Sequence, residues 1–291
     1  MDDAGGGRGG KQPRPAHDRL TADNWLLRCS DWHARFADRY AAGLLAAPQG
    51  GAAAHPDQAR HRPLEAVLNA TPPATSRPRK ISPREAARIL AERDPVLARL
   101  VAEAGLPSFP KPVDDHFAAL VRSITYQQLA GAAATAIHGR LVLALDGDVT
   151  PERVLATPTE ILRGAGLSGS KAASLQDLAA KVLDGTVVLD SRRLARESDE
   201  EIVARLSTVR GIGKWSAEIF LMFQLRRMDV WPTGDLGVRK GFGLAWNIPT
   251  PTPKQLDVLG EPYRPYRSIV AWYCWRAAQL YAGTAATAVT A

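Results

Sequence analysis

One carboxylate is set apart by its neighbours. Asp235 follows Trp231-Pro232-Thr233-Gly234, where proline and glycine force a sharp loop that can present a side chain at the mouth of a cleft. An anion in a water-poor pocket stabilises positive charge developing in a transition state, and it can also orient or deprotonate an attacking water. The residues from Leu236 onward read as a helix, so Asp235 is equally an N-cap, and the two roles are compatible. Some twenty residues upstream, Gly211-Ile212-Gly213 sits between a helical run ending near Leu206 and another beginning at Lys214. Such a turn leaves the first amides of a helix unpaired at its positive end, a setting that holds an anion. Lys214 beside it is a phosphate-contacting or solvated lysine, and Trp215 stands in the first helical turn.

Elements able to position these groups are legible as helices. Ser82-Pro83-Arg84-Glu85 offers an N-cap, a proline in the first turn and a reciprocating glutamate, and the same device is expected at Thr157-Pro158-Thr159-Glu160 and Ser198-Asp199-Glu200-Glu201. Glycine stops follow at Gly105, Gly147, Gly166 and Gly185. Between them run helical-period apolar faces such as Phe117, Leu120, Val121 and Ile124. Only Thr186 to Leu189 reads as a short strand. An all-α bundle of roughly ten helices is expected, on the usual helix length.

Residues 1–80 differ: they are rich in Gly, Ala, Pro and Arg, too poor in buried-type residues to fold alone, and read as a mostly disordered extension. Within them, 24–45 carries Trp25, Trp32, Phe36 and Tyr40 at helical spacing and reads as one amphipathic helix. The folded domain is expected over 81–283, with its hairpin at 206–217. The net charge of +7 and pI near 9.6 favour a polyanionic partner. Before Ser82 there are 12 Lys and Arg against 8 Asp and Glu, and from Ser82 onward 25 against 22, so the core is only mildly basic and a local patch facing such a partner is expected. Two cysteines, Cys29 and Cys274, build neither a disulfide framework nor a four-thiolate zinc or iron–sulfur site. No run reaches the roughly 18 apolar residues that span a bilayer. The chain is expected to be soluble and intracellular, with no membrane partner.

The stretch Leu-Ser-Thr-Val-Arg-Gly-Ile-Gly-Lys-Trp-Ser-Ala, followed by Asp-Val-Trp-Pro-Thr-Gly-Asp-Leu-Gly-Val-Arg-Lys, resembles the helix-hairpin-helix, Gly/Pro-rich, aspartate superfamily of DNA glycosylases, and within it the alkylpurine (3-methyladenine glycosylase II) branch. The resemblance runs from about Ser82 to Gln279. It implies two helical subdomains with the active-site cleft between them and Asp235 as the catalytic carboxylate. Trp215 takes the place where bifunctional relatives carry a nucleophilic lysine, which implies a monofunctional enzyme that leaves an abasic site. The run Arg122-Ser123-Ile124-Thr125-Tyr126-Gln127-Gln128-Leu129-Ala130 resembles the family's wedge, with Gln128 at the pocket and Leu129 entering the duplex gap. Periodicity alone reads the same residues as a helix end with a core leucine.

The resemblance also implies Trp215 and Tyr266 as aromatic pocket walls, and Gly211, Gly213 and Lys214 as contacts to the DNA backbone. It implies a monovalent cation, sodium or potassium, on the backbone carbonyls of Ser207, Val209 and Ile212, with no other cofactor required. Ile219 departs from the pattern, standing where some relatives have an aromatic, which puts the base preference in doubt. Trp272, Tyr273 and Trp275 read as core. The expected function is excision of alkylated purines, 3-methyladenine and 7-methylguanine, from double-stranded DNA by a monomer. The expected address is the nucleus in a eukaryote or the cytoplasm in a bacterium, with an organelle still open. The alternatives are a glycosylase for other damaged or mismatched bases and a non-catalytic helix-hairpin-helix module. Asp235 with its loop argues against the module, since gripping the backbone needs no such carboxylate.

Overall fold

The computed structural model describes residues 81–109 and 111–281. The expectations for 1–80, including the helix at 24–45, lie outside them. Among the described residues there are thirteen α-helices and one 3-10 turn, with no strand. In chain order they are α1 (Pro83–Arg93), α2 (Pro95–Ala104), α3 (His116–Tyr126), α4 (Gly131–Ala144), α5 (Pro151–Ala156), α6 (Thr159–Gly164), α7 (Gly169–Leu183), α8 (Ser191–Leu194), α9 (Asp199–Leu206), α10 (Lys214–Phe223), α11 (Leu236–Trp246), α12 (Pro253–Gly260) and α13 (Arg267–Leu280). The excess over ten comes from α5, α6 and α8, each of six residues or fewer. Segments that short show no apolar period to read.

The expected strand is a turn instead. Asp184 accepts the Thr186 amide, and the Val187 amide reaches back to the Lys181 carbonyl, so the segment folds onto the end of α7. A lone extended tetrapeptide has no neighbour to pair with in an all-helical domain. The N-cap signals were mostly sound. Ser82 accepts the Glu85 amide at 3.1 Å, although Glu85 pairs with Arg88 instead of reciprocating. Ser198 and Glu201 form a full capping box. Thr157 does not cap α6; its hydroxyl donates to the Arg153 carbonyl and closes α5. The four glycine stops all adopt positive φ.

The helices divide into two packed groups, α1 and α2 with α11 and α13, and α3 through α7 with α9 and α10. The described residues thus begin and end in the same group of helices. Asp94 ties its ends together: one carboxylate oxygen accepts the Val96 amide and caps α2, while the other accepts the Tyr263 hydroxyl at 2.7 Å and the Trp246 indole at 3.2 Å. The contact between α11 and α13 is so close that a Cβ on Gly241 would overlap the Cys274 carbonyl. Only glycine fits there, and its absence of a side chain sets the depth at which α13 lies against α11.

Candidate active site and nucleic-acid interface

Asp235 sits where the two subdomains meet, at the junction between the loop after α10 and the start of α11. It is 2% exposed. The amide of Asp235 closes a turn on the Pro232 carbonyl, and Trp231 is anchored by its indole to the Leu256 carbonyl at 2.8 Å. The preceding strip, 227–230, is stitched to α13. Ser268 donates to the Arg227 carbonyl and accepts the Val230 amide, and the Asp229 carboxylate pairs with Arg267 and Arg264. The loop is therefore held at both ends before it reaches the carboxylate.

Asp235 is both cap and candidate catalyst. One carboxylate oxygen, Oδ1, accepts the Val238 amide at 2.8 Å, which caps α11, and the Trp275 indole N–H at 3.1 Å. The other, Oδ2, accepts the Trp215 indole N–H at 2.6 Å. Two indoles from different helices, α10 and α13, thus converge on one buried anion. Hydrogen bonds of this kind are stronger to an ionised carboxylate than to a neutral acceptor. Trp275 is the residue that reasoning from sequence missed, since it was read as core. The residue is 7% exposed, and nothing in the spacing distinguishes it from Trp272, which is also buried, at 1%. Only the docking of α13 on α11 decides which indole reaches Asp235. Tyr266, expected as a pocket wall, stands at the start of α13 and lines a cavity of about 700 Å³ with Phe109, Met222 and Arg227, whose lining includes neither Asp235 nor Trp215.

Glu218, one turn beyond Trp215 on α10, was also not singled out. It is 6% exposed, and burial together with the nearby Asp235 charge pushes its carboxyl up to about 7 despite Lys214 at 3.7 Å. Ile219 is buried behind it.

The hairpin between α9 and α10 carries the exposed residues Gly211, Gly213 and Lys214. Gly211 has φ +77°, and a Cβ there would lie 2.6 Å from the Ser174 hydroxyl, so the turn requires glycine. Asp177 accepts the Arg210 amide at 2.7 Å and holds the turn against α7. Gly213 caps α10 without a side chain, which leaves the first-turn amides facing outward. Ser207 ends α9, and the Val209 carbonyl accepts the Ile212 amide at 3.0 Å, one of the two bonds a carbonyl oxygen can take.

The segment after α3 lies beside this hairpin. The Gln127 side-chain amide donates to the Gly211 carbonyl at 2.9 Å and to the Ser216 hydroxyl at 3.3 Å. Gln128 is exposed in a left-handed conformation, φ +56°, and Leu129 is half-buried. A left-handed non-glycine residue at a loop tip is strain that the surrounding contacts must hold.

Residues 121–265 match the model of the HhH-GPD superfamily of base excision DNA repair proteins. A relative in Schizosaccharomyces pombe, DNA-3-methyladenine glycosylase 1, is 35% identical over 165 residues, covering 55% of this chain and 72% of the relative. The chain belongs to the HhH-GPD superfamily. Among solved structures of this superfamily, the S. pombe 3-methyladenine DNA glycosylase in complex with abasic DNA matches with a TM-score of 0.59 at 32% identity, over 67% of this chain and 97% of that one. A DNA-3-methyladenine glycosidase from Bacillus halodurans matches with a TM-score of 0.60 at 31% identity, over 69% and 91%. In this HhH-GPD chain the hairpin opens α10, and Asp235 accepts the indole N–H of Trp215 in that helix's first turn.

Proposed function

We infer that this chain is a base-excision DNA glycosylase that removes alkylated purines from double-stranded DNA, working as a monomer and without strand cleavage. The observation that carries the reading is Asp235, buried at the subdomain junction and held by the Trp215 and Trp275 indoles. A structural cap would need only the Val238 amide. The additional indole donors keep an anion where water is scarce, which is what a developing sugar cation requires.

The parts assemble into a sequence of events. The open amides around Gly211, Gly213 and Lys214 receive a backbone phosphate. Gln128 and Leu129 occupy the gap left when the damaged nucleotide turns out of the stack. The extruded base lies against Trp215, whose ring orientation is fixed by its bond to Asp235. A purine methylated at N3 or N7 is cationic while attached to the sugar and departs as a neutral molecule with the glycosidic electron pair, so no general acid is needed. Asp235 stabilises the positive charge left on the sugar. Water then adds to C1′, and its proton passes to Asp235 and on to solvent. Trp215 in place of a lysine leaves no amine to form a Schiff base, which supports the monofunctional reading. A monovalent cation on the carbonyls of Ser207, Val209 and Ile212 would add positive charge beneath the phosphate; that ion is part of the proposal.

The test is Asp235→Asn. Asparagine can still accept the Val238 amide and cap α11, but its NH₂ would face the Trp215 N–H, donor against donor. Single-turnover excision of 7-methylguanine is expected to fall by at least about a hundredfold, while affinity for a duplex carrying an abasic-site analogue stays within a few fold. Near-normal excision by the variant would move the chemistry away from Asp235.

A further inference from the structure

The proposed wedge has an anchor of its own. Lys171 lies in the first turn of α7, and its ammonium donates to the Thr125 carbonyl at 2.8 Å and the Gln127 carbonyl at 2.6 Å. These carbonyls sit at the C-terminal end of α3, where helix geometry leaves the last acceptors unpaired and the macrodipole favours a cation. The Ser168 hydroxyl accepts the Lys171 amide at 3.2 Å and fixes the turn from which the lysine reaches. The side chain is half-buried, and burial lowers its pKa.

Immediately beyond the two carbonyls, the chain enters the left-handed Gln128 and the half-buried Leu129. The tip is thus clamped on its inner side in two directions: to α7 through Lys171, and to the hairpin through the Gln127 side chain. A two-carbonyl clamp on the residue preceding a strained tip fixes that tip's direction.

We propose that Lys171 is a positioning residue for strand intercalation, gripping the Thr125 and Gln127 carbonyls so that Gln128 and Leu129 project into the duplex in register with the phosphate-binding hairpin. This rests on the reading of Gln128 and Leu129 as the wedge. The clamp matters when the tip must push into a stacked duplex, because a loose tip cannot hold the gap open; it matters little on a single strand, which has no stack to resist.

The experiment compares single-turnover excision of 7-methylguanine from duplex and from single-stranded oligonucleotide, with the melting temperature of each variant measured in parallel. Lys171→Met is expected to lower the duplex rate by roughly ten- to a hundredfold, the size of loss that a misplaced positioning group produces, with the single-strand rate little changed. Lys171→Arg, which keeps a cation able to bridge two carbonyls, is expected to recover most of the duplex rate. In a background lacking the tip, Gln128→Ala/Leu129→Ala, adding Lys171→Met should cause little further loss, because the residue then has nothing to position.

Equal losses on the two substrates for Lys171→Met, or a full further loss in the tipless background, would overturn the proposal. Should Lys171→Met fail to fold, Lys171→Gln, which removes the charge and shortens the reach to the two carbonyls, carries the same comparison. The tipless variant tests the wedge independently. An even loss on both substrates there removes the wedge reading and this proposal together, whereas a duplex-selective loss there with an even loss for Lys171→Met removes this proposal alone.

Discussion

The indole of Trp215 has two roles that a single substitution confounds. In the proposed reaction it presents a π face to the base, and it donates its N–H to Asp235 at 2.6 Å. A cationic 7-methylguanine is attracted to that face, whereas neutral hypoxanthine is not, by roughly 0.5 to 2 kcal/mol or about two- to thirtyfold in rate. Trp215→Leu removes both face and donor, and Trp215→Phe removes the donor alone. The ratio of 7-methylguanine to hypoxanthine excision is therefore expected to fall in the leucine variant and to persist in the phenylalanine variant, although both lose absolute rate. An unchanged ratio in Trp215→Leu would mean that the ring acts by shape alone. Glu218 adds a pH dependence to stability. Its folded pKa of about 7 lies above the ordinary 4.5, so between those values the unfolded chain binds fewer protons than the folded one. The folded state loses stability as pH rises through that window. Glu218→Gln removes the loss, so urea unfolding should show the variant gaining on the wild type from pH 5 to pH 8 by about 3 kcal/mol at most. Parallel stability profiles would show that the carboxyl titrates normally.

At the scale of elements, the hairpin and α10 act as one unit. The turn is held by the Gly211 conformation and by Asp177 on the Arg210 amide, and the helix it opens carries Lys214, Trp215 and Glu218 within its first five residues. The proposed phosphate grip and base pocket would therefore share one rigid support, so that displacement of either would move the other. Lys214 is 71% exposed at its side chain, and its ion pair with Glu218 is long. Lys214→Ala should weaken binding to damaged and undamaged duplex alike and reduce the slope of log affinity against log salt by about one. An unchanged slope would place the phosphate on the backbone amides without the lysine.

For the described molecule as a whole, the junction depends on α2 being closed upon the end of α11 and the 3-10 turn that leads into α13. Asp94 does this with three accepted bonds, to the Val96 amide, the Trp246 indole and the Tyr263 hydroxyl. Asp94→Ala removes a helix cap and two long-range bonds and is expected to cost about 3 kcal/mol. Tyr263→Phe removes one of those bonds, and in the Asp94→Ala background it should cost measurably less than in the wild type. Full additivity of the two losses would show that the hydroxyl and carboxylate are not coupled. Because α13 carries Trp275, the Asp94 variant should also lower excision in the protein that remains folded.

Helix starts and stops, the hairpin and the lone Asp235 were legible in the residues themselves, because caps, glycine turns and loop-forming prolines act over a few positions of chain, whereas the two-subdomain plan followed only from the family resemblance. Thr157 shows the limit even there: its hydroxyl had two local carbonyl and amide choices, and it closed the helix behind it instead of opening the one ahead. Trp275 shows the larger limit. Besides Trp215, four tryptophans of the C-terminal half, Trp231, Trp246, Trp272 and Trp275, share the same chemistry and are largely enclosed; of the two on α13, it is Trp275 whose N–H reaches Asp235, from a helix seated closely on α11 at Gly241. Likewise the Lys171 clamp joins residues more than forty positions apart. Local propensity selects the helices; which side chains meet between them is decided by packing, since a helix presents several candidates on each face and only its neighbour's shape selects among them.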